Sequence, residues 1–224
     1  MESLLAEPVD KRRRRTRSAL LDAARVLFAR PGGYRGTSVD ELAAQADIAL
    51  TSIYSNFPGG KADLYAVLAC RVGSEHVDAM AAAVAGARGE EAARLAFDEY
   101  LDFHRREPIA FRLLGLTDVH GEDSETVRAA RAEVRGYLAR ALDVVINAVG
   151  EPADTARAEV VQCWAGINGL LALAVRGLID SAEADDLIDE VRRRCAANLG
   201  TALKASVANP RTARVRDRSV ASYE

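Results

Sequence analysis

Hydroxyl, amide and amine side chains are concentrated between residues 50 and 61 of this 224-residue chain. Short hydroxyls and amides can approach the edges of bases, whereas a phenol or an ammonium can bind a phosphate oxygen. Leu50, at the start of the run, is explained equally well as a contact to a thymine methyl group and as a packing residue. The side chains that could bind a nucleic acid are Leu50, Thr51, Ser52, Tyr54, Ser55, Asn56 and Lys61.

Two short helices are needed to position these side chains. Apolar residues at helical spacing predict a supporting helix over residues 39–46 and a second helix over residues 50–56, with a turn at Asp47. Ser38 and Glu41 have the spacing of a capping box at the start of the supporting helix. The residues expected to pack the two helices together are Val39, Leu42, Ala43, Ile48 and Ile53.

Residues 16–68 resemble the N-terminal domain of the TetR family of bacterial regulators. The resemblance rests on residues at fixed offsets, namely Ala24, Phe28, Gly33, Gly36, Thr37, Ser38, Leu42, Ala43, Ala46, Ile53, Tyr54, Phe57, Lys61 and Leu64. It implies a homodimer that binds a partly palindromic double-stranded DNA operator. It also implies a repressor that a small molecule releases from the operator.

Individual roles follow from the same resemblance. Ser52 stands where the family often has a threonine that touches DNA, and Tyr54 and Lys61 stand where a tyrosine and a lysine contact phosphate. Thr37 and Ser38 lie where the start of the supporting helix meets the DNA backbone. The alternative for the aromatic residues of this segment is a purely packing role in the core.

Three positions depart from the family pattern. The turn residue, commonly glycine, is Asp47, and aspartate tolerates the left-handed backbone conformation at modest cost. The cap of the recognition helix, commonly serine or threonine, is Ala49, and the loss of such a cap costs about 0.5–2 kcal/mol. The run Pro58-Gly59-Gly60 places Lys61 one residue later than the commonest spacing.

Charge is unevenly distributed along the chain. Residues 11–65 contain ten Lys and Arg against five Asp and Glu, although the whole chain has a net charge of −3. The basic run over residues 11–15 is expected to form an arm before the first helix. Its Arg15 either stays solvated or binds DNA in the minor groove or at a phosphate. No apolar segment typical of a signal peptide follows this run, and three scattered cysteines favour a reducing, cytoplasmic location.

Helical periodicity continues along the rest of the chain. It predicts helices over residues 92–104, 124–149, 154–179 and 181–204, and no strand pattern. We therefore predict an all-α fold, with a three-helix DNA-binding domain joined to a larger helical domain for ligand binding and dimerisation. The predicted domains are a basic flexible arm (1–15), the helix-turn-helix domain (16–65), the effector and dimerisation domain (66–205) and a basic, disordered tail (206–224).

The C-terminal part carries one informative pattern. Trp164, followed after three residues by Asn168-Gly169, resembles a C-terminal type of the same family that has histidine in place of Asn168. An effector is expected to bind between the middle helices, where apolar walls with a few polar tips suit a hydrophobic molecule. The pocket candidates, each alternatively an ordinary core residue, are Phe97, Tyr100, Leu101, His104, Phe111, Leu114, Tyr137, Trp164 and Asn168.

The helix predicted over residues 154–179 is apolar on almost every face, so it needs burial on two sides. Its most apolar stretch, residues 160–179, is long enough to span a membrane, but Gln162, Asn168 and Arg176 favour a buried helix or a helix at a dimer interface. Pairing with a second copy would form a four-helix bundle, and the alternative is a core helix within one chain. The interface candidates are Leu170, Leu173, Leu187, Val191, Cys195 and Leu199.

These patterns together predict a DNA-binding transcriptional regulator that is not an enzyme. The sequence has no metal-ligand spacing and no catalytic triad pattern, so we expect no metal and no cofactor. The expected partners are an operator, a second copy and an unknown small molecule, and no membrane. A regulator that activates, or one without an effector, is a second hypothesis. The alternative from another class is a small all-α ligand-binding protein or enzyme in which the helix-turn-helix is incidental.

Overall fold

The computed structural model describes the backbone of residues 3–150 and 153–208 and the side chains of residues 3–150 and 154–199. The regular secondary structure of these residues is entirely helical, which confirms the predicted fold class. The helices are α1 (Lys11–Phe28), α2 (Gly33–Gly36), α3 (Val39–Gln45), α4 (Thr51–Asn56), α5 (Lys61–Ala83), α6 (Gly89–Arg106), α7 (Ala110–Gly115), α8 (Glu125–Val149), α9 (Ala153–Val175) and α10 (Ser181–Ala208).

Two compact units divide the chain. The first unit combines Met1–Ala79 with Leu101–Arg140, and the second combines Met80–Tyr100 with Ala141–Glu224. Helices α5, α6 and α8 each contribute to both units. This division differs from a boundary at residue 65, because apolar residues of α5 belong to the same core as residues of α1 and α8. The functional domain boundaries stay a prediction.

The core of the first unit is built around α5. Leu64, Tyr65 and Leu68 are almost completely buried, together with residues of α1, α3, α4, α7 and α8. The Tyr65 hydroxyl donates to the Arg112 carbonyl over 2.9 Å and to the Asp118 carboxylate over 3.1 Å. The polar end of this large aromatic side chain is therefore satisfied inside the core.

Two histidines lie inside the first unit. The ring centre of His76 is 4.7 Å from that of Phe103 and 6.4 Å from that of His104, which is itself 6.4 Å from Phe111. Burial lowers the pKa of each histidine to about 4, and for His76 the nearby His104 contributes as well. Both imidazoles are therefore neutral at pH 7.

The predicted capping box begins α3. The Glu41 amide donates to the Ser38 hydroxyl over 3.1 Å, and the Ser38 amide donates to the Glu41 carboxylate over 2.7 Å. The Glu41 carboxylate accepts hydrogen bonds from the Ser38 amide and the Ser38 hydroxyl, and these two bonds hold the pKa of Glu41 below its ordinary value. The start of the helix is thus fixed by its own two side chains.

The end of α3 has the predicted left-handed residue. Asp47 has a φ of 53°, and its amide donates to the Ala44 carbonyl over 3.2 Å. The next amide, of Ile48, donates to the Ala43 carbonyl over 3.0 Å. This pair of bonds is the Schellman motif, which turns the chain sharply out of α3 towards α4.

Several helix boundaries differ from the sequence expectation. Helix α1 begins at Lys11, because the Asp10 carboxylate accepts from the amides of Arg12 and Arg13, so the basic run lies in the helix and not in an arm before it. The short helix α2 (Gly33–Gly36) is not predicted from the sequence. Helix α10 continues to Ala208, beyond the predicted domain end at 205. The rest of the predicted tail lies outside the described residues.

The positive φ of Asp47 yields a stability prediction. We expect Asp47→Ala to be less stable than Asp47→Gly by about 1 kcal/mol, because alanine pays the steric cost of the left-handed conformation and glycine does not. Urea unfolding at one fixed protein concentration measures the difference. The matched control is Ala44→Gly in α3, where glycine should instead destabilise. Equal stabilities of the two Asp47 variants would contradict the turn geometry.

The two buried histidines predict acid sensitivity. As pH falls from 6.5 towards 4, the unfolded chain binds protons at His76 and His104 that the folded chain does not bind. The free energy of unfolding should therefore decrease by up to about 1.4 kcal/mol per pH unit for each histidine, and this loss should be absent above neutral pH. Urea unfolding across this range measures the slope. His76→Gln should flatten it and the exposed His120→Gln should not, whereas equal slopes would refute the assignment.

Candidate nucleic-acid interface

Helix α4 has a buried face and an exposed face. Ile53 is fully buried on the inner face, where α4 packs against α1 and α3. Leu50, just before the helix, is 40% exposed and Tyr54 is 49% exposed. Because Leu50 and Tyr54 are four positions apart, their exposed parts lie on the same side of the helix. The remaining residues of the exposed or half-buried face are Thr51, Ser52 and Ser55.

Asn56 and Thr37, which are both predicted to contact DNA, are buried. Asn56 is 8% exposed, and its amide donates to the Ser52 carbonyl over 2.8 Å. Thr37 is also buried, and its hydroxyl donates to the Gly33 carbonyl over 2.9 Å. Both side chains satisfy backbone carbonyls within the protein. Their predicted DNA contacts therefore stay predictions for which the side chains would have to move.

Tyr54 lies against the loop that follows α4. A Cβ atom added to Gly60 would lie 3.2 Å from the Tyr54 ring, which is closer than an ordinary contact, so the ring would have to shift slightly. Gly60 also has a φ of +62°, which favours glycine independently. Phe57, in contrast, is 1% exposed and is a core aromatic residue. Of the two aromatic side chains, Tyr54 alone is accessible to a partner.

Lys61 fixes the segment that precedes α3. Its ammonium donates to the carbonyls of Tyr34 and Thr37 over 2.8 and 2.7 Å, and it lies 4.4 Å from the centre of the Tyr34 ring. These carbonyls are at the end of α2, where a cation is favourable. Partial burial lowers the pKa of Lys61 from its ordinary value. A phosphate contact by Lys61 stays a prediction, and its structural role was not foreseen.

The start of α4 lacks a side-chain cap, as the alanine at position 49 predicts. The residue at the cap position is Leu50, in a helical conformation, and no side chain accepts from the first amides. The first turn is instead closed by the Ser52 and Ile53 amides, which donate to the Ala49 and Leu50 carbonyls. The helix therefore begins at Thr51, one residue later than expected.

Two arginines of α1 hold the other end of α4. Arg13 donates to the Ser55 carbonyl over 3.1 Å, and Arg17 donates to the Asn56 carbonyl over 3.4 Å. The Arg17 guanidinium also lies 4.8 Å from the centre of the Phe57 ring. Sequence reasoning missed these residues. Their spacing of four, which places them on one face of α1, was the available signal.

Exposed cations lie on α1 beside this helix pair. Lys11, Arg12, Arg13 and Arg15 are exposed, whereas Arg14 is half-buried and pairs with Glu7 over 3.4 Å. Exposed guanidinium and ammonium groups bind phosphates in any sequence context. Arg15, the residue proposed from the basic run, is therefore accessible for such a contact.

The effector-pocket candidates fall in both compact units. The first unit contains Leu101, His104, Phe111, Leu114 and Tyr137, and the second contains Phe97, Tyr100, Trp164 and Asn168. In the second unit the Tyr100 hydroxyl donates to the Asn168 side-chain oxygen over 2.9 Å. The Asn168 amide in turn donates to the Trp164 carbonyl over 2.8 Å. Three of the predicted residues are thus joined by hydrogen bonds.

The interface candidates divide by exposure. Leu173 and Leu187 are exposed, and Leu170 and Val191 are half-buried. Cys195 and Leu199 are instead buried in the contact between α9 and α10 of one chain, so their expected place on a free surface is wrong. Cys70 and Cys163 are likewise buried, and all three cysteines are free thiols.

Two sequence models of known protein families match this chain. Residues 20–68 match the sequence model of bacterial regulatory proteins of the tetR family, and residues 93–199 match that of the tetracyclin repressor-like C-terminal domain. The second match includes Trp164 and Asn168. No curated protein sequence matches the chain.

Solved structures share the fold at low sequence identity. A tetR-family transcriptional regulator from Streptomyces coelicolor is 20% identical with a TM-score of 0.60, over 87% of this chain and 83% of that one. A bacterial regulatory protein in the tetR family from Rhodococcus RHA1 is 18% identical with a TM-score of 0.56, over 84% and 96% of the two chains. The two sequence models match both parts of the chain, and the protein is a DNA-binding transcriptional regulator of the TetR family.

Proposed function

We propose that this regulator is a homodimeric, cytoplasmic repressor that binds a partly palindromic operator and leaves it when a small hydrophobic effector binds. The observation that carries the proposal is the exposed face of α4, which combines Leu50 and Tyr54 with short hydroxyl side chains. A helix of this width fits the major groove of DNA.

The contacts divide by chemistry. Thr51, Ser52 and Ser55 are short donors and acceptors that suit base edges or phosphates, and Leu50 suits a thymine methyl group. The Tyr54 hydroxyl is assigned to a phosphate. The cations of α1, which include Arg15, add a sequence-independent attraction that weakens as salt increases.

Helix α9 supports dimerisation. By length and composition, its segment Asp154–Val175 is long and apolar enough to cross a membrane. Only 17% of its most apolar 18-residue window is buried within the chain, so most of this apolar surface is left at least partly exposed. Near its end, Val175 and Leu178 are 68% and 67% exposed. We propose that a second copy covers this surface, because a bundle of four helices would remove it from water.

The hydrogen-bonded group of Tyr100, Trp164 and Asn168 supports an effector site in the second unit. Burial raises the pKa of Tyr100 to about 12, so its phenol is neutral and serves as a hydrogen-bond donor. Phe97 is a buried aromatic residue of the same unit and helix as Tyr100. We propose an effector with an apolar body and one polar group. This polar group would replace the hydrogen bond between Tyr100 and Asn168 with its own hydrogen bonds to the two side chains.

The DNA contacts are tested with an operator selected by the wild-type protein from a pool of random duplexes. Tyr54→Phe should weaken binding about threefold to tenfold for every sequence, because it removes one phosphate hydrogen bond. Ser52→Ala should instead relax the preference at one base of each half-site. Fluorescence anisotropy measures both effects, with Thr126→Ala in α8 as the control. Variants that bind like the wild type would reject these assignments.

The proposed dimer is tested by introducing charged residues into the exposed apolar surface of α9 and α10. Leu173→Glu combined with Leu187→Glu should convert the dimer to a monomer, because two carboxylates would have to be buried at the interface. Sedimentation velocity measures the mass. Operator affinity should fall at least about a hundredfold, since each subunit would then bind one half-site alone. Val26→Glu, at an exposed apolar residue of α1, should remain dimeric. A double variant with the mass of the wild type would contradict the proposed surface.

A further inference from the structure

Ser3 and Leu4 are bound to α8. The Ser3 hydroxyl and the Leu4 amide donate to the two oxygens of the Glu133 carboxylate over 2.6 and 3.0 Å. A turn in which the Ala6 amide donates to the Ser3 carbonyl closes the segment. Leu4 and Leu5 pack against the core of the first unit. We call residues 3–6 the N-terminal clasp.

The clasp is joined to α1 by Arg17. This half-buried guanidinium donates to the Leu4 carbonyl over 2.8 Å with one nitrogen and to the Asn56 carbonyl over 3.4 Å with another. One rigid, planar group therefore bridges the clasp and the last residue of α4. Residues that are far apart in the sequence meet at a single cation.

The bridge acts where α4 has few contacts of its own. The last carbonyls of a helix have no partner within it, and a cation that binds them also complements the negative end of the helix dipole. For α4 these partners are Arg13 and Arg17. The other end of α4 has no side-chain cap, so the two arginines add side-chain support to the packing of Ile53.

Glu133 is itself held in place. The Tyr137 hydroxyl, one turn further along α8, donates to the same carboxylate over 3.0 Å. The Tyr137 ring packs closely on Gly73 of α5, where an added Cβ would lie 3.1 Å from the ring. The carboxylate therefore has a fixed position relative to the core of the first unit.

We propose that Arg17 is a positioning residue for DNA recognition, and that the N-terminal clasp makes the position and orientation of α4 depend on Glu133 of α8. The inference rests on the role of α4 as the recognition helix proposed above. If α8 moves Glu133 beyond hydrogen-bond reach, the clasp loses both of its hydrogen bonds to this carboxylate. Arg17 then loses the fixed Leu4 carbonyl that orients it towards Asn56.

The test uses the full-length protein and an operator that the wild-type protein has selected from random duplexes. Arg17→Lys keeps the charge but cannot span both carbonyls. It should weaken operator binding about tenfold and leave binding to unrelated DNA within about twofold, the pattern expected when geometry and not charge is lost. Glu133→Ala should weaken operator binding by a similar factor. Glu133→Gln, which keeps an acceptor oxygen, should recover part of it, and Glu125→Ala at an exposed residue of α8 is the control.

A double-mutant cycle shows whether Arg17 and Glu133 act together through the clasp or affect operator binding independently. If Arg17 and Glu133 act through the same segment, the double variant should bind the operator little more weakly than the single variant that has the lower affinity. Additive losses, or an Arg17→Lys protein that binds like the wild type, would overturn the proposal. Thermal unfolding identifies variants that have lost their fold. A wild-type protein that selects no operator would instead refute the proposed function itself, so the two failures are distinguishable.

Discussion

A helix of six residues does not hold its shape alone in water, and this constraint governs the DNA-binding part of the molecule. Helix α4 is short enough to enter a groove, but each of its features is fixed by other segments. Its inner face packs through Ile53, its direction is set by the left-handed Asp47, and its last carbonyls are bound by Arg13 and Arg17. The exposed face of α4 is thus a product of tertiary contacts.

The first compact unit extends this dependence beyond the helix-turn-helix. Its core runs from α1 through α5 to α7 and α8, so helices far along the chain pack in the same core as the DNA-binding helices. The hydrogen bonds of Asp63 illustrate the continuity, because its carboxylate accepts from the Gly59 amide in the loop after α4 and from the Ser124 hydroxyl just before α8. Apolar packing and buried hydrogen bonds therefore fix the same relation between these segments.

The sequence predicted what depends on neighbouring residues. The helical fold, the capping box at Ser38 and the left-handed Asp47 follow from local periodicity and turn chemistry, and the structure contains each of them. Asn56 was misplaced because its position on a helical wheel does not reveal that the amide folds back onto its own backbone. The roles of Arg17 and Lys61 were missed for a related reason. Their acceptors are carbonyls of distant segments, and a sequence pattern does not identify such partners.

The attachment of Ser3 and Leu4 to Glu133 has a consequence for the order in which the protein is made. Ser3 is translated 130 residues before Glu133, so Ser3 and Leu4 remain without this carboxylate until the first part of α8 has been made. A nascent or prematurely terminated chain that contains the helix-turn-helix but lacks α8 would have an incompletely supported α4.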